Sequence, residues 1–277
     1  RPDARPAKTS PVYDKLKRMG AVFGQRYGWE RANWFAPEGV EPKDEWSFRR
    51  SNYFEHVGNE CRRLREKVGV IDLTPFTKFE VTGPGAEGWL DSLVANKVPT
   101  KVGRIALCHA LTQRGGIRSE FTITKLADRH YYVVSAGAAE RYDSDFLQKR
   151  LPTDGSVALR NITGSRGVFV LAGPRARDVM AKLTDVPLDN ASFPWLTGQV
   201  IEAGLATDVY ALRVNFVGAL GWELHFPIEY AHGLFDAIFA AGAEHDIGMA
   251  GMRAMESLRM EKSYRMWGSD LTRDNTP

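Results

Sequence analysis

An internal repeat limits the folds available to this chain more than any other feature of the sequence. The segment "FEVTGPGAEGWLDSL" begins at Phe79, and the similar segment "FVLAGPRARDVMAKL" begins at Phe169. In both copies apolar residues alternate before the Gly-Pro pair, as in a β-strand, and recur at helical spacing after it. Each copy therefore predicts a strand, a Gly-Pro turn and a helix.

Each repeat continues into further strands and a second helix. The first is followed by "GRIALCHAL", the turn "TQRGG", "IRSEFTITKL", "HYYVVSA" and the helical run "AAERYDSDFLQKRL". The second is followed by "GQVIEAG", "VYALRVNFVG", "GWELHFP" and the helical run "YAHGLFDAIFAAGAEH". Both halves thus predict the order β-α-β-β-β-α.

Tight hairpins favour antiparallel sheets with helices on one face, so we predict an α+β fold of two pseudo-repeated antiparallel sheet units with flanking helices. Residues 51–160 form the first half and residues 161–277 the second. Residues 1–50 begin with three prolines in 11 residues and are interpreted as a linker and lead-in segment. A concave ligand site is expected where the halves meet.

The first Gly-Pro turn also spells G-x-G-x-x-G, with Gly83, Gly85 and Gly88, the pattern of a dinucleotide-binding turn. The second copy has Arg175 and Asp178 at the last two glycine positions. In addition, no acidic residue follows the first turn at the distance of about 20 residues that holds a ribose. The pattern therefore indicates an ordinary strand-to-helix turn, in which glycine makes the turn and proline begins the helix.

Charge and cysteine content exclude several functional classes. A net charge of +3 over 277 residues does not favour nucleic-acid binding. The two cysteines suit free thiols in a reducing compartment, which predicts a cytoplasmic protein, or one of the mitochondrial matrix in a eukaryote. The sequence predicts no membrane span and no signal peptide. A start without Met and an abrupt end at "DLTRDNTP" suggest a piece of a longer polypeptide.

No familiar catalytic or metal-binding motif is present. The six histidines lack H-x-x-x-H spacing and there is no C-x-x-C, so no metal site is predicted.

Two acidic residues, Glu120 and Glu223, remain unusual. Glu120 follows a Gly-Gly turn and alternates onto the strand face opposite Phe121. Glu223 lies in an otherwise apolar strand, where a carboxylate is costly to bury without a donor partner. Each is equally well interpreted as a solvated or structural acid.

Several segments resemble the tetrahydrofolate-binding aminomethyltransferase family typified by the glycine-cleavage T-protein. They are "DLTPFTKFEVTGPGA", "GGIRSEFTI", "YYVVSA", "VFVLAGP", "GALGWELHFP" and "MESLRMEKSYRMWGSDLT". The segments "FGWERANWFAPEGVEP" and "SFRRSNYFEHVGNECRRLREKVGVID" are more similar to the folate module of FAD-linked dimethylglycine and sarcosine dehydrogenases. The dehydrogenase branch is also favoured because Phe216, Ala219 and Met255 stand where the T-protein has Tyr, Glu and Arg.

The resemblance implies site residues. It places Glu120 beside the reactive nitrogens of folate as the catalytic residue, which either accepts a proton or orients the nitrogen. It implies folate-binding roles for Phe121, Thr122, Phe216, Glu223, Leu224 and His225. Glu223 is expected to pair with the 2-aminopyrimidinone edge of the pterin, whose two donors suit a carboxylate.

The resemblance also implies cofactors and partners. Tetrahydrofolate is the expected ligand, FAD is expected in a preceding domain of the parent protein, and a C-terminal barrel domain is expected to close the folate site. The implied function is one-carbon transfer: the iminium made by oxidation of an N-methyl amine is captured as 5,10-methylene-tetrahydrofolate. A stand-alone aminomethyltransferase and a non-catalytic folate-binding module remain alternatives.

Overall fold

The structure is a computed structural model that describes residues 2–277. Its helices are α1 (Tyr13–Arg18), α2 (Phe54–Glu66), α3 (Ala86–Leu93), α4 (Glu140–Gln148), α5 (Ala176–Met180), α6 (Ala231–Gly242) and α7 (Met252–Glu261). Its strands are β1 (Ala21–Arg26), β2 (Trp29–Phe35), β3 (Gly69–Asp72), β4 (Thr77–Thr82), β5 (Ile105–Leu111), β6 (Ile117–Ala127), β7 (His130–Ser135), β8 (Ala158–Asn161), β9 (Arg166–Ala172), β10 (Gly198–Ala203), β11 (Ala206–Leu212), β12 (Gly221–Pro227) and β13 (Gly248–Met249). Both predicted β-α-β-β-β-α units are present, from β4 to α4 and from β9 to α6.

The two units build two larger sheets. The first sheet has the strand order β5-β6-β7-β4-β8, and the second has the order β10-β11-β12-β9-β3-β13. Neighbouring strands are antiparallel, except that β13 runs parallel to β3. Helices α3 and α4 pack on one face of the first sheet, and α5 and α6 pack on one face of the second. The predicted α+β fold is confirmed.

The two sheets exchange strands. Strand β3 precedes the first unit in the sequence but pairs with β9 of the second unit. Strand β8 precedes the second unit but pairs with β4 of the first. The division of the chain at residue 160 stays a prediction, and the sheets interlock across it.

The Gly-Pro turns hold the exchanged strands in place. Gly83 has φ +117° and Gly173 has φ +132°, a conformation that favours glycine. A Cβ at Gly83 would overlap the carbonyl oxygen of Ser156, just before β8, and one at Gly173 would overlap that of Lys67, just before β3. In each turn, the residue two positions after the glycine donates its N–H to that same carbonyl, at 2.9 and 3.0 Å. These turns therefore bind protein backbone where a nucleotide turn would bind phosphate.

The sheets face each other through a shared apolar layer. This inter-sheet layer consists of Ile105, Tyr132, Val134, Tyr210 and Leu212. The opposite, helix-covered faces hold the two main cores. Side chains of β7 and β11 therefore alternate between a helix-covered core and the inter-sheet layer.

The lead-in segment is folded over much of its length. Helix α1 and the β1–β2 hairpin fill residues 13–35, and Leu16 packs into the core of the second sheet. The hairpin turns at Tyr27 and Gly28, which both have positive φ, as a two-residue turn of this kind requires. After this segment, helix α2 packs with α7 against the second sheet.

Candidate functional site

Glu223 lies on the side of β12 that faces the first sheet. Its cross-strand neighbours are Leu212 and Val170, and its side chain shares their side of the sheet. Glu223 is 8% exposed, so its carboxylate is almost buried. Oε2 lies 3.1 Å from Nε2 of His225, two positions along the same strand. Within residues 2–277, Oε1 takes part in no hydrogen bond, so the carboxylate retains acceptor capacity for a ligand.

His225 connects Glu223 to the first sheet. Its ring is fully buried, and Nδ1 lies 2.9 Å from the hydroxyl of Tyr132 on β7. The two rings meet edge to face, with centroids 5.3 Å apart. Burial lowers the pKa of His225 and raises the pKa of Tyr132 well above its ordinary value, so both groups are neutral at physiological pH. A hydrogen-bonded series thus runs from one sheet to the carboxylate of the other.

Glu120 lies on β6 and pairs with a histidine that no motif in the sequence indicated. Its Oε2 lies 2.9 Å from Nε2 of His109, its direct cross-strand partner on β5. Both side chains are partly accessible, at 20% and 23%. The hairpin register shifts between Ala110 and Leu111, so counting outward from the turn would not have found His109. A carboxylate and an imidazole in contact, both reached by solvent, can hold or pass a proton.

Glu120 and Glu223 lie on sides of their sheets that face each other. Thr122 and Thr124 share the Glu120 side of β6, and they pair across the strands with Val134 and Tyr132 of the inter-sheet layer. Thr122 is half-buried on the side of β6 that carries Glu120.

Two predicted folate-binding side chains point away from this side. Phe121 is 1% exposed in the core under α3 and α4, and Leu224 is 0% exposed in the core under α5 and α6. Strand alternation makes this unavoidable, because Phe121 follows Glu120 and Leu224 follows Glu223. In this fold only their backbone groups can contribute to a site that contains the two acids.

Phe216 lies outside the strands, in the loop between β11 and β12. Its ring stacks on Tyr264, with centroids 6.0 Å apart, and the Arg259 guanidinium lies 5.9 Å from the ring centre. It packs against the cluster that also contains Val170, the cross-strand partner of Glu223. Phe216 thus borders the Glu223 region from the side of α7.

A second buried polar group lies between the sheets. Lys78 of β4 is 0% exposed, and its Nζ donates to the carbonyl oxygens of Thr74 and Arg166 at 2.7 Å each. Burial lowers its pKa to about 7. No sequence pattern indicates that Lys78 is buried, because an alternating strand normally turns lysine outward.

Two concave regions of the surface lie apart from Glu120 and Glu223. The larger, of about 460 Å³, is lined by Val98, Pro99, Thr100, Lys101, Arg104, Ile105 and Ala106. Another, of about 240 Å³, lies between β2 and α2 and includes Glu60 and Arg63. Glu120 and Glu223 line neither. We place the candidate site at the acids because they combine accessible acceptors with histidine partners, whereas the larger concavity offers no acid or histidine.

The described residues, 2–277, contain no cluster of three or more potential metal-ligating side chains. Over the same residues, no helix is both long enough and apolar enough to cross a bilayer.

The two antiparallel sheets interlock, and each directs one carboxylate–histidine pair toward their junction. This arrangement defines an α+β protein suited to a polar, donor-rich small molecule. Residues 12–277 match the protein family described as "GCVT N-terminal domain". The chain belongs to this family, and the resemblance inferred from its motifs is confirmed.

Relatives refine this assignment. Dimethylglycine dehydrogenase, mitochondrial, from Mus musculus is 36% identical over 271 residues, which are 98% of this chain and 31% of that protein. Sarcosine dehydrogenase, mitochondrial, from Homo sapiens is 30% identical over 311 residues, 99% of this chain and 34% of that protein. The chain thus spans about a third of the length of these curated relatives.

A solved structure shows the same fold. Glycine cleavage system aminomethyltransferase T from Bartonella henselae superposes with a TM-score of 0.81 at 24% identity, covering 98% of this chain and 67% of that one. Family, relatives and fold together make the chain a folate-binding, aminomethyltransferase-type module related to dimethylglycine and sarcosine dehydrogenases.

Proposed function

We propose that this chain is the one-carbon transfer module of an FAD-dependent N-methyl amine dehydrogenase, and that it binds tetrahydrofolate between its two sheets. The observation that carries the proposal is the Glu223 carboxylate, which is nearly buried and has an oxygen without a protein partner. Oε1 is not among the fully enclosed side-chain atoms that lack a hydrogen-bond partner, so a ligand that supplies N–H donors can reach it.

The residues present fit a reduced pterin. Its 2-aminopyrimidinone edge carries N–H donors, and an ionised carboxylate offers about four lone-pair sites, of which His225 uses one. Phe216 supplies an aromatic face at the border of the same region. Bound tetrahydrofolate would supply the amine nitrogens that accept a one-carbon unit.

Glu120 is proposed to accept or hold the proton that the attacking amine releases. His109, 2.9 Å away, orients the Glu120 carboxylate and offers a second site for that proton. General acid–base catalysis by one positioned group typically contributes about 10²- to 10⁴-fold to a rate. Holding both reactants at the junction contributes further by proximity.

The substrates of the relatives suggest the chemistry of the parent protein. We propose oxidation of dimethylglycine, sarcosine or a similar N-methyl amine by an FAD domain of the same polypeptide, and a mitochondrial matrix location in a eukaryote. A stand-alone aminomethyltransferase and a non-catalytic folate-binding module are the alternatives, and the fate of the methyl carbon distinguishes them.

The test follows that carbon in the intact protein. Glu120→Gln should keep tetrahydrofolate affinity within a few-fold, whereas methylene-tetrahydrofolate yield falls and formaldehyde is released in its place. Glu80→Gln is the matched control, because Glu80 also pairs with a histidine, His130 at 3.0 Å, and has no proposed role. Equal product yields from both variants would contradict the role of Glu120. An unmodified protein that binds tetrahydrofolate but never alters the fate of the methyl carbon would favour the non-catalytic module.

A further inference from the structure

Tyr132 is a buried hydroxyl-bearing residue of the first sheet that reaches the site of the second. It is 0% exposed, and its hydroxyl has a partner in Nδ1 of His225, at 2.9 Å. The two residues are 93 positions apart in the sequence. Its ring also packs edge to face on Tyr210, with centroids 5.1 Å apart, so the hydroxyl is held in one direction.

The hydrogen-bond geometry allows a single placement of the protons. Burial keeps Tyr132 protonated and His225 neutral, so the phenol has one proton and the imidazole has one. Glu223 is the acceptor on the other side of the ring, at 3.1 Å from Nε2. The imidazole proton must therefore lie on Nε2 and point to Glu223, which leaves Nδ1 to accept from the Tyr132 hydroxyl.

The opposite tautomer would disrupt the site. With the proton on Nδ1, the lone pair of Nε2 would face the Glu223 carboxylate, and two acceptors would oppose each other. The carboxylate would then rotate away. The Tyr132 hydroxyl disfavours this tautomer, because it could accept from Nδ1–H only by leaving its own proton without an acceptor; within residues 2–277, Nδ1 of His225 is its hydrogen-bond partner.

We propose that Tyr132 is a positioning residue: from the first sheet it fixes the tautomer of His225, and thereby keeps the Nε2–H directed at Oε2 of Glu223 on the second sheet, with Oε1 left for the ligand. This inference rests on the proposed function. It also means that the binding carboxylate is set correctly only when the two sheets are docked.

The test is Tyr132→Phe in the intact protein, because phenylalanine keeps the ring packing and removes only the hydroxyl. Tyr131→Phe is the matched control. Tyr131 is the buried neighbour on the opposite face, and its hydroxyl donates to Glu87, far from His225 in the hydrogen-bond network. Nitrogen-15 spectra of labelled histidine, with His225 assigned by its loss in His225→Gln, report the tautomer without any ligand.

In Tyr132→Phe, the His225 signals should shift from the Nε2–H form toward a mixture. Tetrahydrofolate affinity should fall about tenfold, the size of one net hydrogen bond. Tyr131→Phe should change neither. If Tyr132 acts through Glu223, its effect should be much smaller in a Glu223→Gln background, because coupled residues do not add.

An unchanged His225 tautomer in Tyr132→Phe, or the same affinity loss in Tyr131→Phe, would overturn the proposal. The proposed function fails separately, when the unmodified protein shows no tetrahydrofolate binding. In that case the nitrogen-15 spectra still decide whether Tyr132 sets the tautomer.

Discussion

Replacing Glu223 by Gln is the most informative single perturbation of the proposed site. Glutamine has nearly the same shape, and its one oxygen can still accept the Nε2–H of His225, now 3.1 Å from Oε2. Its NH₂ group then occupies the Oε1 position, where it faces the N–H donors of the pterin. A charge-assisted hydrogen bond is lost and two donors oppose each other.

The magnitude follows from these two terms. Charged hydrogen bonds contribute about 1.5–3 kcal/mol, and a buried donor without a partner costs about 1–3 kcal/mol. Because glutamine can relax in part, we expect a loss of about 2–4 kcal/mol of folate affinity, or roughly 30- to 1,000-fold. The free energy of unfolding without ligand should change by less than about 1 kcal/mol, since the bond to His225 is retained.

Calorimetric titration with tetrahydrofolate measures the affinity, and thermal unfolding measures the stability. Glu229→Gln is the matched control, because Glu229 follows the same strand, is exposed and has no proposed contact. Amine oxidation in Glu223→Gln should continue, with formaldehyde released in place of methylene-tetrahydrofolate. An affinity unchanged within twofold, in a variant that folds normally, would remove Glu223 from the site and refute the reasoning.

Three further predictions concern stability. Gly88→Ala should be neutral or stabilising by up to about 1 kcal/mol, because a Cβ there meets no atom within 4 Å, and folate affinity should not change. Gly83→Ala should destabilise the protein by more than about 1 kcal/mol, because the site has a positive φ and a Cβ there would overlap the Ser156 carbonyl. Thermal unfolding compares the Gly88→Ala and Gly83→Ala variants. Equal melting temperatures would contradict the strand-exchange role of the turn. Burial raises the pKa of Glu60 to about 7, so the folded state holds a proton that the unfolded state loses near pH 4.5. The free energy of unfolding should therefore fall as pH rises between about 4.5 and 7. Glu60→Gln should flatten this fall and lower stability overall, because one of the two backbone N–H groups that donate to Glu60 loses its acceptor. Denaturant unfolding at several pH values measures both effects, and an unchanged pH dependence in the variant would contradict the assignment to Glu60.

The repeat units could be predicted because their signals are local. Strand alternation, the Gly-Pro turn and helical spacing depend on residues close in sequence, and all are confirmed between β4 and α6. The pairing of β3 with β9 and of β8 with β4 could not be predicted, because no local pattern encodes which distant strand a short apolar segment joins. The glycine of each Gly-Pro turn is the one local sign of this strand pairing, because the turn requires glycine only where it approaches the backbone just before the exchanged strand.

The candidate site was predictable in part for the same reason. The sides on which Glu120 and Glu223 lie follow from alternation, and family motifs drew attention to both. Their histidine partners required pairing information: hairpin register for His109, and a contact between sheets for Tyr132 and His225. The motif mapping also included Phe121 and Leu224, whose side chains alternation turns into the cores, because a motif match does not distinguish a contact residue from its neighbour.

A crystal structure of the intact protein with bound tetrahydrofolate tests the central claim most directly. The account predicts the pterin at the junction of the two sheets, with ring N–H groups within about 3.2 Å of the Glu223 carboxylate and the reactive nitrogens on the Glu120 side. Electron density for folate in the concavity formed by Val98–Ala106, with no ligand atom near Glu223, would contradict it.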